Sequence, residues 1–128
     1  LRAKRELRPQ KKHGLIPIPW YEDAVRFIKA RVPDTVFYVF SDDPDWAEAH
    51  LKLSDPCVLV RPDPDGRDFE DLHLMAACRH HIIANSSFSW WGAWLDPRPD
   101  KIVIAPQKWF DGGPSDTEDI VPETWIRM

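Results

Sequence analysis

The side chains able to do chemistry fall in two short polar runs, each beside an apolar one. Asn85-Ser86-Ser87 follows the run His81-Ile82-Ile83-Ala84 and precedes Phe88-Ser89-Trp90-Trp91-Gly92-Ala93-Trp94-Leu95. Four largely apolar residues read as a short buried strand, Asn-Ser-Ser as a helix cap, and the rest as a helix carrying three tryptophans. The first N–H groups of a helix have no partner within it, and its dipole favours negative charge, so a strand feeding such a turn can hold a phosphate. Ser86 and Ser87 would add hydroxyl donors. The plainer reading is a capped core helix, because Ser and Asn before a helix are commonly caps. The clustered tryptophans are expected to wedge the turn against its neighbours.

Ser41-Asp42-Asp43 is the second run. It follows Thr35 to Phe40, which is rich in β-formers and reads as a strand buried on both faces. Pro44 then sits at a favoured first-turn position of a short helix. An Asp here can cap that helix, or present a carboxylate to a ligand. A helix is read over roughly 68–79. Cys57 and Cys78 lie in apolar segments, read as buried free thiols, and no metal-ligand spacing occurs.

The positioning elements alternate. A basic arm (Arg2, Lys4, Arg5, Arg8, Lys11, Lys12) opens residues 1–17, expected to be irregular, ahead of a domain over 18–128. Trp20, Tyr21, Ala24, Val25, Phe27, Ile28 and Val32 recur at helical spacing, giving a helix near 19–31. Strands follow at 35–40, 57–60, 81–84 and 101–105, with helices after Pro44, at 68–79 and at 87–95. Residues 61–68 and 111–119 read as loops, and 121–126 as a closing turn or helix. Alternation of this kind implies crossovers and a mostly parallel, open α/β sheet, Rossmann-like, with ligands at the carboxyl ends of strands. The two polar turns need only stand on neighbouring strands to face one crevice.

Composition narrows the task. The 128 residues, 43% apolar, suffice for one globular core. A net charge of −4 argues against nucleic acid as a partner. No apolar run is long enough for a transmembrane helix, and the charged N-terminus carries no signal-peptide core.

The string Asn85 to Leu95 resembles the C-terminal signature of the α-1,2-fucosyltransferases, glycosyltransferase family 11. Phe40-Ser41-Asp42-Asp43 with Trp46, Glu70-Asp71-Leu72 through Cys78, Ile102 to Phe110, and Val121-Pro122-Glu123-Thr124-Trp125-Ile126 are similar to the same family, so the resemblance covers residues 13–128. It implies the donor-side C-terminal half of a GT-B-type enzyme, with inverting transfer of L-fucose from GDP-β-L-fucose to the 2-hydroxyl of a galactose-terminated glycan. It implies no cofactor and no metal. By carry-over Asp42 reads the guanine edge, whose adjacent N1–H and N2–H₂ donors suit a carboxylate, and Asp43 is the weaker candidate. Asn85, Ser86, Ser87 and Phe88 form the phosphate turn. Asp71 orients the nucleotide loop or only caps its helix. His81 departs from the family's His-Asn and is expected to be structural.

The family's His-x-Arg-Arg-x-Asp motif, whose arginines hold the donor phosphates, does not occur in these 128 residues. The chain, which starts at Leu1, is therefore expected to be a fragment that transfers no fucose by itself. A non-catalytic nucleotide-sugar-binding module is the alternative. A serine hydrolase would need a Gly-x-Ser-x-Gly elbow, and none occurs. A cytoplasmic or peripherally membrane-associated enzyme of bacterial type is expected, or a Golgi membrane enzyme of animal type.

Overall fold

The computed structural model describes residues 2–3, 16–62, 64–66, 68–110 and 119–128. In chain order the elements are β1 (Arg2–Ala3), α1 (Ile18–Arg31), β2 (Phe37–Ser41), α2 (Pro44–His50), β3 (Cys57–Val60), α3 (Asp68–Ala77), β4 (His81–Ile82), α4 (Ser87–Trp94), β5 (Val103–Ala105) and β6 (Ile126–Arg127). The strands form two three-stranded sheets, β1-β2-β3 and β4-β5-β6. Every pairing is parallel, as βα alternation requires.

The mixed α/β character and parallel pairing match the expectation, but the described strands form two sheets where one open sheet was expected, so the two polar turns do not follow neighbouring strands; further details differ. The arm expected to be irregular contributes β1, which pairs Arg2 with Phe40 and Ala3 with Ser41. Residues 4–15 and the loop at 111–118 lie outside the described residues. The closing segment is a strand instead of a turn or helix: Ile126 and Arg127 pair with Ile104 and Ala105, and the N–H of Met128 donates to the Ala105 carbonyl at 3.1 Å. β2 is not buried on both faces. Phe37, Val39 and Phe40 are buried, but Tyr38 is 46% exposed because its face fronts an open groove. Cys57 and Cys78 are free thiols, yet Cys57 is exposed and Cys78 half-buried.

α1 shows why periodicity is a strong signal. Tyr21, Ala24, Val25 and Ile28 recur every three or four residues and are all buried. Pro17 and Pro19 open the helix where no N–H partner is needed, and Lys29 and Arg31 favour its negative end. This stripe meets Phe37 and Val39 of β2, Ile82 of β4 and Ile104 next to it, so both sheets share one core around α1. A second cluster gathers Ile83, Ala93, Val103, Trp109, Val121 and Trp125 beneath α4. α4 crosses α3 closely at Gly92, where an added Cβ would stand 3.0 Å from the Met75 Cβ.

Candidate functional site

Both polar turns stand at the carboxyl ends of parallel strands, where α/β sheets place their ligands. In the first, Ser41 and Asp43 lock one another. The Ser41 hydroxyl accepts from the Asp43 N–H and lies 3.1 Å from its carbonyl. Asp43 is the N-cap of α2, its carboxylate accepting from the Trp46 N–H at 2.9 Å. The cap commits Asp43 to local structure. Asp42 beside it is exposed, and among the described residues its carboxylate takes no hydrogen-bond partner.

The second turn divides its polar groups the same way. Asn85 is buried, and its side-chain amide donates to the Trp109 carbonyl at 3.3 Å, tying the turn to the segment after β5. The Ser89 hydroxyl bridges back to the carbonyls of Ala84 at 3.0 Å and Ser86 at 2.9 Å. Ser86 is the N-cap by backbone geometry but makes no side-chain cap. The first intrahelical bond runs from the Trp90 N–H to the Ser86 carbonyl at 3.0 Å, so the Ser87 N–H precedes the ladder. The Ser86 hydroxyl is half-buried and that of Ser87 exposed, with no bond to another described residue. The turn therefore offers an uncapped helix N-terminus and two hydroxyls, held by Asn85 and Ser89. Phe88, half-buried, follows in the first turn of α4. Asp71 is the fourth residue of α3, and no hydrogen bond ties it to either turn.

The tryptophans behind the turn divide unequally. Trp90 does wedge it: the indole N–H donates to the Ile120 carbonyl at 2.6 Å, and the ring stacks on Trp94 at 5.1 Å and tilts against Trp125 at 5.7 Å. Trp91 and Trp94 are about half exposed, so the expected wedge is not shared equally by the three. α4 meets α3 on one side and the second core on another, which leaves its remaining face open.

A buried polar hub lies on the other end of β4. His81 and Asp96 are both almost wholly buried, with Nε2 of the imidazole 2.9 Å from Oδ2 of the carboxylate. Arg98 grips the other oxygen through its Nε at 2.8 Å and its backbone N–H at 3.0 Å. Its far nitrogen donates to the carbonyls of Ala76, Ala77 and Cys78, capping α3. Lys101 caps α4 in the same manner, donating to the carbonyls of Ala93 at 2.7 Å and Asp96 at 2.6 Å. Burial tends to raise the Asp96 carboxyl, but hydrogen bonds from Arg98 and His81 outweigh it and hold it at about 2. Burial drives His81 down to about 4 against the opposing pull of Asp96. The imidazole is thus neutral and donates from Nε2 to an ionised, acceptor-only carboxylate. His81 is structural, as expected. Its partner Asp96, read in sequence only as part of a helix breaker, escaped notice; a buried His facing an Asp-Pro-Arg-Pro breaker was the available signal.

The hub implies acid sensitivity. Between pH 6.5 and about 4 the unfolded chain binds a proton on His81 that the folded chain excludes. That share of stability is complete above pH 6.5 and declines on acidification through this window. Asp96, depressed from 3.8 to about 2, extends the loss to lower pH. Urea titrations at pH 7 and pH 4.5 are expected to differ by on the order of 3 kcal/mol, the slope vanishing between pH 6.5 and 4.5 in His81→Asn. An unchanged slope in that variant would assign the acid response elsewhere.

Comparison with known proteins gives the site its context. The profile described as Glycosyl transferase family 11 matches residues 8–128. The O-antigen biosynthesis glycosyltransferase WbnK of Escherichia coli is 39% identical over 116 residues, covering 91% of this chain and 38% of that protein. An alpha-1,2-colitosyltransferase of Escherichia coli is 41% identical over 121 residues, covering 91% and 40%. Galactoside alpha-(1,2)-fucosyltransferase 1 of Saimiri sciureus is 27% identical over 92 residues, covering 70% and 25%. The chain thus spans about two fifths of the length of the bacterial relatives it matches. No solved structure matches it significantly.

Proposed function

The chain belongs to glycosyl transferase family 11, and from that premise we propose that it is the donor-binding part of a galactoside α-1,2-fucosyltransferase, holding GDP-β-L-fucose without a metal. The observation that carries the reading is that a polar group stays uncommitted at each of two strand ends, one in either sheet: the Asp42 carboxylate after β2, and the Ser86–Ser87 turn at the N-terminus of α4. The carboxylate accepts from the guanine N1–H and N2–H₂ together. The turn donates to the diphosphate. In the transfer, the acceptor's 2-hydroxyl oxygen bonds to the anomeric carbon as the bond from that carbon to the diphosphate breaks. The electron pair leaves with GDP and the hydroxyl proton passes to a base. Fixed donors at the diphosphate lower the barrier because they meet charge that grows as the bond breaks. No helix among the described residues is long and apolar enough to cross a membrane.

Calorimetry of the chain with GDP, ADP and UDP tests the base reader. GDP is expected to bind tightest, and Asp42→Ala to remove the preference, a loss of about 1.5–3 kcal/mol for a charge-assisted pair. Equal affinities for the three nucleotides would overturn the assignment. A separate pair of variants tests the turn. Ser86→Ala and Ser87→Ala should each weaken GDP by about 1.5–3 kcal/mol and leave guanosine nearly unchanged. An equal loss for both ligands would place the phosphates elsewhere.

A second reading concerns the sugar alone. The 41% identity to an alpha-1,2-colitosyltransferase favours colitose as the transferred sugar. Competition between the two GDP-sugars for the chain separates the readings.

A further inference from the structure

Arg61 is the first residue after β3, a strand that pairs in parallel with β2. One step beyond the last pair, Phe40 with Val60, the register brings Arg61 beside Ser41, about one strand spacing or ~4.8 Å away. Asp42 is the next residue of the chain. The strand ends thus place an arginine and the uncommitted Asp42 side by side.

The Arg61 side chain leans onto α2. Nη1 donates to the Asp45 carboxylate at 2.8 Å, and Nη2 to that of Glu48 at 2.6 Å. Asp45 lies in the first turn of α2, three residues after Asp42, so the guanidinium stays near the strand end. The Arg61 side chain is 53% exposed, and those of Asp45 and Glu48 are more so. Exposed pairs of this kind add little to stability and exchange readily. A guanidinium carries five N–H donors, and these two bonds use two of them. The remaining donors are available to a ligand.

Guanine presents two edges side by side. N1–H and N2–H₂ donate on one, and O6 and N7 accept on the next. A carboxylate suits the first edge, and two N–H groups of a guanidinium suit the second. Adenine sets an amino donor where guanine has O6, and uracil has no N7. We propose that Arg61 reads the O6–N7 edge of a guanine whose N1–H and N2–H₂ are held by Asp42. This role rests on the GDP reading of the Asp42 turn and adds a second strand to base recognition. Asp42 sets the base in register, and Arg61 reads only a base so placed, so loss of Asp42 removes both contributions. Arg61 also answers a problem of charge. Asp42, Asp43, Asp45 and Glu48 gather four carboxylates within seven residues, and the incoming nucleotide is itself an anion. Arg61 is the cation that the fold ties to this cluster.

Calorimetry of the chain with GDP, IDP and 7-deaza-GDP separates the two residues. IDP lacks the N2 amine and probes Asp42. 7-Deaza-GDP carries a C–H in place of N7 and probes Arg61. The parent is expected to bind 7-deaza-GDP about tenfold more weakly than GDP. Arg61→Ala should bind GDP about tenfold more weakly than the parent does and treat GDP and 7-deaza-GDP alike, with IDP still the weaker ligand. Arg61→Lys keeps the charge without the planar fork, and should lose most of the preference over 7-deaza-GDP. Equal binding of GDP and 7-deaza-GDP by the parent, with IDP weaker, would overturn the role of Arg61 and leave Asp42 as the base reader. So would a loss in Arg61→Ala that falls equally on GDP and 7-deaza-GDP, because a structural or general electrostatic role acts on both. Equal binding of all three nucleotides by the parent would overturn the Asp42 reading and the Arg61 role together.

Discussion

Asp96→Ala is expected to remove about 3–5 kcal/mol of folding stability, a large part of what a domain of this size possesses. The carboxylate is fully buried and serves three donors: Nε2 of His81, and the side chain and backbone N–H of Arg98. Its removal strands a neutral imidazole with a buried N–H and frees the guanidinium that caps α3. Asp96→Asn keeps an acceptor for Arg98 and should cost less than half as much. Guanidinium unfolding of the three proteins measures the difference. If alanine and asparagine behave alike, within about 0.5 kcal/mol of the parent, the hub adds nothing to stability.

Trp90→Ala is expected to cost a similar amount, about 3–5 kcal/mol, for a different reason. Trp90 sits at the centre of four indole rings and anchors α4 to the Ile120 carbonyl. Truncation opens a cavity between α4 and Trp125 and loosens the helix whose N-terminus carries Ser86 and Ser87. Trp90→Phe retains most of the ring packing and loses the hydrogen bond, so about 1–2 kcal/mol is expected. Thermal melts rank the two variants. Trp91→Ala is the informative control: its ring is half exposed, and its loss should cost much less. Equal costs at positions 90 and 91 would contradict the asymmetry of the cluster.

The asymmetry among these tryptophans marks where reading residues in order stops being enough. Trp90, Trp91 and Trp94 have the same chemistry, and nothing local separates them. Their burial is decided by α3, by the Ile120 carbonyl and by Trp125, all far from Trp90 in the chain. The same holds for β6. Ile126 and Arg127 have no neighbouring strand in sequence; β5, more than twenty residues earlier, supplies the ladder. The resemblance to the family already implied a structural role for His81. That it meets the Asp96 carboxylate in a buried hydrogen bond, and that Arg98 and Lys101 then close the ends of two helices, depends on bonds across the fold.

What the residues determined unaided is local and periodic. The i, i+3, i+4 stripe of α1, Pro44 opening α2, the Asp43 cap and the two polar turns after apolar runs each rest on groups within a few positions of one another, where chain connectivity already holds them together. Alternating strands and helices likewise force parallel pairing, because each crossover returns the chain to the same end of the sheet. The resemblance to family 11 was equally legible, since its motifs are contiguous strings of rare residues. Only the tertiary structure decided which of the polar side chains remain uncommitted. Asp42 and Asp43 are adjacent and identical, yet one caps a helix and the other does not. Ser86, Ser87 and Ser89 divide in the same way, because a hydroxyl or carboxylate bonds to whichever partner packing brings within about 3 Å.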